Sequence, residues 1–216
     1  MPSLSEENYL KAILFLSGQA QAAVSTSELA ARLDAKAASV TEMLRRLSEK
    51  KWVEYRPYKG VYLSPAGRDL AAKVLRKHRL WETFLVEKLH FGWEEVHEVA
   101  EQLEHISSPK LTERLSAFLG HPEYDPHGDP IPDPNGVFPK RPKRTLSEVP
   151  AGEKVLVQGV RDGDSDFLRY VRQLGIALGD ELEVEAVQPF DQSQQVRHGE
   201  RLLTLSAIAA ANIYVL

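Results

Sequence analysis

The sequence predicts a mainly α-helical chain that ends in a small β domain. Apolar residues recur at helical spacing through the first part of the chain, and capping and proline–glycine signals mark where helices start and stop. After a proline-rich stretch the pattern changes to short strands. At 216 residues and 43% apolar content, the chain can bury at least one sizeable core and has room for more than one module.

Residues 5–17 place Tyr9, Leu10, Ile13, Leu14 and Leu16 on one helical face. Ser25 opens a second helix as its N-cap, with Glu28 three residues on as the reciprocal partner of a capping box. After a turn at Asp34–Lys36, a third helix aligns Val40, Met43, Leu44 and Leu47 at i, i+3, i+4 and i+7. Its opposite face is small and polar, with Ala38, Ser39, Thr41, Glu42, Arg45 and Arg46, and Lys36 at its entrance. Trp52–Tyr55 and Val61–Ser64 read as two strands around a turn at Lys59 and Gly60, with Arg56 and Lys59 at the tip.

A helix-turn-helix followed by a basic hairpin is a winged helix. Ser25, Thr26, Lys36, Ala38, Ser39, Thr41, Glu42, Arg45, Arg46, Arg56 and Lys59 are its candidate DNA contacts. The same unit also serves as a protein-binding module when its basic residues are merely solvated. Charge favours nucleic acid: residues 1–80 hold 14 Lys+Arg against 8 Asp+Glu, whereas the remainder holds 13 against 23.

Ser64 and Pro65 start a long helix to about Leu89. A second runs from about Trp93 to Ile106, and a third follows Ser108-Pro109 and closes at Gly120. His78 and Glu82 stand at i and i+4. His97, Glu101 and His105 follow in successive i+4 steps, with Glu104 three residues beyond Glu101. With no cysteine in the chain, such a cluster offers only nitrogen and oxygen donors, which favours manganese and ferrous iron over softer ions. A salt-bridged surface helix with incidental histidines fits the same spacing.

At this point the chain resembles the diphtheria-toxin-repressor family of iron- and manganese-dependent regulators. The strings that carry the resemblance are E-N-Y-L-K-A-I, A-A-S-V-T-E-M-L-R-R-L, L-S-P-A-G-R, R-K-H-R-L-W-E-T-F-L, V-A-E-Q-L-E-H-I and D-P-H-G-D-P-I-P. It implies two neighbouring metal sites, so up to two ions per subunit: an ancillary site of His78, Glu82 and His97, and a second of Asn8, Glu101, Glu104 and His105. Glutamate at 101, where iron-responsive members often have cysteine, leans toward Mn(II) over Fe(II). Asn8 brings no charge, and the Lys11 ammonium repels a cation, so the site at His78, Glu82 and His97 is expected to dominate.

Residues 121–144 read as a proline-rich connector, and Asp125, His127, Asp129 and Asp133 within it as turn formers rather than ligands. From Leu146 onward, strands surround one short helix, resembling the family's small SH3-like barrel, which can lend oxygen ligands to the ancillary site. The matching segment D-G-D-S-D-F makes Asp164 and Asp166 candidates. The expected domains are a winged helix over 1–70, a helical metal-binding and dimerisation domain over 71–120, the linker, and an SH3-like (FeoA-like) domain over 145–216.

The resemblance implies a metal-dependent regulator, expected to be a repressor, that binds double-stranded operator DNA with an inverted repeat as a homodimer. With no signal-peptide pattern and no apolar run near 18 residues, no membrane role and a cytoplasmic location are expected. Two other readings stay open: a metal-independent winged-helix regulator with a structural cluster, and a metallohydrolase. The sequence contains neither H-E-x-x-H nor a nucleophile elbow, so no enzyme is expected.

Overall fold

The computed structural model describes residues 2–18, 21–56, 59–140, 144–161 and 164–216. Three helices come first: α1 (Leu4–Ser17), α2 (Thr26–Arg32) and α3 (Ala37–Glu49). Ser3 and Glu6 close a capping box at α1, and Ser25 and Glu28 close the expected one at α2. The hairpin β1 (Val53–Arg56) and β2 (Gly60–Leu63) pairs Val53 with Leu63 and Arg56 with Gly60, and Val24 adds a bridge to Val61. The strands sit one residue from their expected bounds because Trp52 and Ser64 close the hairpin base instead: Ser64 N–H donates to the Trp52 carbonyl at 3.0 Å.

Helix α4 (Pro65–Leu89) begins where Ser64 Oγ accepts from Gly67 N–H at 3.1 Å. A Cβ on Gly67 would lie 1.9 Å from the Trp52 carbonyl oxygen, so only glycine lets the helix start this close to the wing. Helix α5 (Val96–Leu103) is shorter than expected at both ends, and α6 (Pro109–Phe118) follows. At the front of α5, residues 93–95 form a turn in which Gly92 N–H donates to Glu95. At its end Pro109 disfavours helical backbone at Ser108, and Glu104 and His105 lie in a turn beyond the helix.

After a 3₁₀ turn (Leu146–Glu148) come β3 (Lys154–Val160), α7 (Ser165–Leu174), β4 (Glu181–Val187), β5 (Gln194–His198), β6 (Arg201–Leu205), α8 (Ala207–Ala210) and β7 (Ile213–Val215). The five strands form one antiparallel sheet in the order β6-β5-β4-β3-β7. This is the expected SH3-like domain, but as an open sheet: the edge strands β6 and β7 are not hydrogen-bonded to each other. Helix α8 carries the chain from one edge strand to the other.

The chain separates into two compact units. One comprises Met1–His78, Gln102–Pro109 and Pro132–Phe138; the other comprises Arg79–Glu101, Lys110–Ile131 and Pro139–Leu216. The first is built on Leu10, Ile13, Leu29, Val40, Leu44, Leu47 and Val61, all fully buried, so α3 packs the face its periodicity predicts. The second has a sheet core around Val160, Leu182, Val184, Leu205 and Ile213, and a smaller cluster of Leu80, Leu115 and Ile131.

Within the proline-rich stretch, residues 125–132 are buried, and Tyr124 bridges Pro130. Its backbone lies directly on β3, where Val160 N–H donates to the His127 carbonyl at 2.7 Å. A Cβ on Gly128, whose φ is +84°, would meet the Gln158 carbonyl oxygen at 2.1 Å.

Leu44→Ala should lower unfolding stability by ~2–5 kcal/mol, the usual cost of emptying a closed leucine site, read from urea denaturation. A loss under about 1 kcal/mol would mean that α3 does not depend on this packing.

Candidate metal centre

Glu82, on α4, is 3% exposed. In the second unit its carboxylate, that of Asp125 and the ring of His127 offer donor atoms within 4.8 Å of one another. Each is held by a separate local device. Asp125 Oδ1 accepts from the backbone N–H groups of His127 at 2.9 Å and Asp129 at 3.0 Å, the turn chemistry its sequence setting predicts. Its Oδ2 lies 3.4 Å from Arg79 Nε, and Arg79 also reaches Asp129 and donates to the Pro130 carbonyl. Burial, and then the charge of Glu82, push the Asp125 carboxyl above its ordinary value, so two acids here compete for too little positive charge.

His127 is 2% exposed, and its Nε2 lies 3.2 Å from the Trp93 carbonyl oxygen. A carbonyl only accepts, so Nε2 donates to Trp93 and the ring presents Nδ1 on the opposite side, toward Asp125. Gly128 and Gly159 let the linker and β3 approach closely enough to seat this ring.

His97, on α5, places Nδ1 3.2 Å from Glu82 and Nε2 3.5 Å from Glu101, one turn along the helix. The hydrogen bond with Glu101, then that with Glu82, raises the ring to about 9. His78 stands one turn before Glu82 on α4, and its Nδ1 lies 2.6 Å from Glu104 in the first unit. The second sequence-predicted set does not form a comparable cluster. Glu104 meets Lys11 Nζ at 2.8 Å, His105 meets Glu7 at 2.6 Å, and Asn8 Oδ1 is buried without a hydrogen bond.

Asp164 caps α7, accepting from Asp166 and Phe167 N–H, and Asp166 pairs with Arg169. Neither belongs to the described cluster; Asp162 and Gly163 of that segment lie outside the described residues. Asp125 and His127 are the ligand candidates that sequence reasoning set aside. Their signal was the pairing of metal-type side chains within one turn-forming string, which also reads as ordinary loop chemistry.

Lys36, which precedes α3, and Ala38, Ser39, Glu42, Arg45 and Arg46 on it are exposed, and Thr41 bonds back to the Ala37 carbonyl. Arg46 also faces the buried Glu6 of α1 at 3.9 Å, and Arg56 of the wing pairs with Glu54. Ser25 and Thr26 are half-buried at the start of α2, while Lys59 is exposed.

Residues 2–61 match the iron-dependent repressor N-terminal DNA-binding domain, 64–133 the iron-dependent repressor metal-binding and dimerisation domain, and 144–216 the FeoA domain. The iron-dependent repressor IdeR of Mycobacterium tuberculosis is 33% identical over 172 residues, 74% of each chain. The chain belongs to the iron-dependent repressor family. It is therefore a metal-dependent, DNA-binding transcriptional regulator whose relatives are transcriptional repressors. Among solved structures, a manganese-dependent transcriptional repressor in complex with manganese is 38% identical, with a TM-score of 0.84, covering 98% of this chain and 99% of that one. The manganese regulator SloR is 31% identical at a TM-score of 0.75, covering 98% and 97%. No described helix is long and apolar enough to cross a membrane.

A raised pKa means that the folded metal-free protein prefers the His97 imidazolium. The stability this contributes is complete below the ring's ordinary 6.5 and is lost as pH rises through about 9. Ring NMR of the metal-free protein should give His97 a titration midpoint of about 9, lowered in Glu101→Gln; a midpoint at the ordinary value in the parent would exclude the ion pair.

Proposed function

We propose that this regulator is switched by Mn(II), in preference to Fe(II), held by Glu82, Asp125 and His127, with His97 as a further donor beside Glu82 and His78, one helical turn earlier in α4, retained as a donor from the family resemblance. The observation that carries the reading is the buried group of two carboxylates and one imidazole gathered from α4 and the linker. A bound divalent ion supplies positive charge at a point where Glu82 and Asp125 are otherwise undercompensated. Oxygen and nitrogen donors without thiolate suit manganese, which the names of two similar structures also specify for those proteins. His97, as imidazolium, is the protein's own counter-charge on Glu82 and must give up that role and its proton as a ligand.

The regulator acts as a cytoplasmic homodimer on double-stranded operator DNA with an inverted repeat, α3 of each subunit entering the major groove. Asp164 and Asp166 serve α7 rather than the ion. The matched dimerisation model, and the exposed Leu89 and Phe118 on α4 and beyond it on α6, support self-association. The exposed Lys36, Arg45 and Lys59 support phosphate contacts. The reading also takes the chain to be a regulator without enzymatic activity.

The test is fluorescence anisotropy on the chain's own upstream promoter DNA. Mn(II) should tighten binding by ~5–150-fold, the usual range for coupled sites. Glu82→Gln and His127→Ala should each abolish that gain while leaving the weak metal-free binding in place. Equal affinity in chelator and in Mn(II) would make the winged helix a metal-independent binder. Calorimetry in buffers of different ionisation enthalpy should also show proton release on Mn(II) binding at pH 7.5, reduced in His97→Ala; release unchanged in that variant would remove His97 from the ligand set.

A further inference from the structure

The first unit holds a second group of metal-type side chains, already occupied by a charge the chain supplies itself. Glu104 is fully buried, and both of its oxygens lie 2.8 Å from Lys11 Nζ, on a side chain 13% exposed. His78 Nδ1 meets the same carboxylate at 2.6 Å, and His105 Nε2 stands 3.7 Å from it. His105 Nδ1 is engaged by Glu7 at 2.6 Å. Asn8, one turn before Lys11 on α1, has a buried amide oxygen with no hydrogen-bond partner. Glu104 is thus shared between the Lys11 ammonium and His78, with His105 close by and Glu7 holding His105 on its other nitrogen.

We infer that Lys11 is a tethered cation standing in for a metal ion at Glu104, so that this group takes up no divalent ion unless Lys11 is removed. The ammonium is a compact point charge that can bridge both oxygens of one carboxylate. Because it is covalently attached, a free ion must displace it without any gain in translational entropy from its departure. A cation entering beside it would meet a full positive charge at close range in a water-poor setting, where like charges repel strongly. His78 meets the same carboxylate, so with Lys11 in place Glu104 already has a partner on both oxygens. One charge on α1 therefore sets how many ions the protein binds. This rests on reading the chain as a divalent-metal regulator, but not on the ligands assigned around Glu82.

The experiment is equilibrium dialysis of the full-length protein against Mn(II), with bound metal counted by elemental analysis and folding checked by circular dichroism. Lys11→Met should bind one more ion per chain than the parent, and Lys11→Met with Glu104→Gln should lose that extra ion. Lys11→Arg, which keeps the charge, should match the parent. Lys11→Gln, neutral but able to hydrogen-bond Glu104, should also gain the ion and stands in if the methionine variant does not fold. Adding Glu82→Gln to each variant separates the sites: the ion gained at Glu104 should persist without Glu82, whatever happens to the first. The same metal content in folded neutral variants and parent would overturn the inference, as would an extra ion that survives Glu104→Gln.

Discussion

Two carboxylates, Glu82 and Glu104, are withdrawn almost wholly from water, and the chemistry of this protein follows from how each is neutralised. An ionised carboxylate in such surroundings requires positive charge or hydrogen-bond donors close by, because desolvating it alone costs several kcal/mol or more. Glu104 is compensated from within, by an ammonium on both oxygens and an imidazole on one. Glu82 has His97 as its cationic neighbour and a second buried acid, Asp125, competing for charge. The first arrangement is closed, whereas at the second two buried acids share the nearby cationic groups, and this imbalance is what the proposed divalent ion would relieve.

The linker gives that imbalance its geometry. Asp125 and His127 are fixed by backbone devices: a two-donor turn around one aspartate oxygen, a carbonyl that orients the imidazole, and a glycine that allows the strand to come within contact. One Asp125 oxygen serves the turn, and Arg79 holds the string against α4 through the other and through Asp129.

The DNA-binding half shows a parallel economy of charge. Glu6 is 2% exposed and satisfied by Ser3, Lys50 and, more distantly, Arg46, so one basic residue of the α3 surface is also part of the packing between α1 and α3. Helix α4 begins at the base of the wing and carries His78 and Glu82 farther along.

Sequence by itself determined the order of the elements. The capping box at Ser25, the seam of Val40, Leu44 and Leu47, the Ser64-Pro65 start and the period-two strands are local signals, each set by backbone hydrogen bonding and side-chain spacing within a few residues. Spacing also set His78 and Glu82 on one helix face and His97, Glu101 and His105 on another, and the family resemblance joined His78, Glu82 and His97 as one ligand set. What only the tertiary structure decided were encounters between residues far apart in the chain. Helical spacing extended α5 through Glu104 and His105, but the chain turns after Leu103 and brings those two residues to Lys11 and Glu7 on α1. Spacing likewise gave Asp125 and His127 to a connector, and folding set them against Glu82. Periodicity reports which face of an element a residue occupies; which charges face one another across a buried space depends on long-range packing, and that pairing determines where a metal ion is needed.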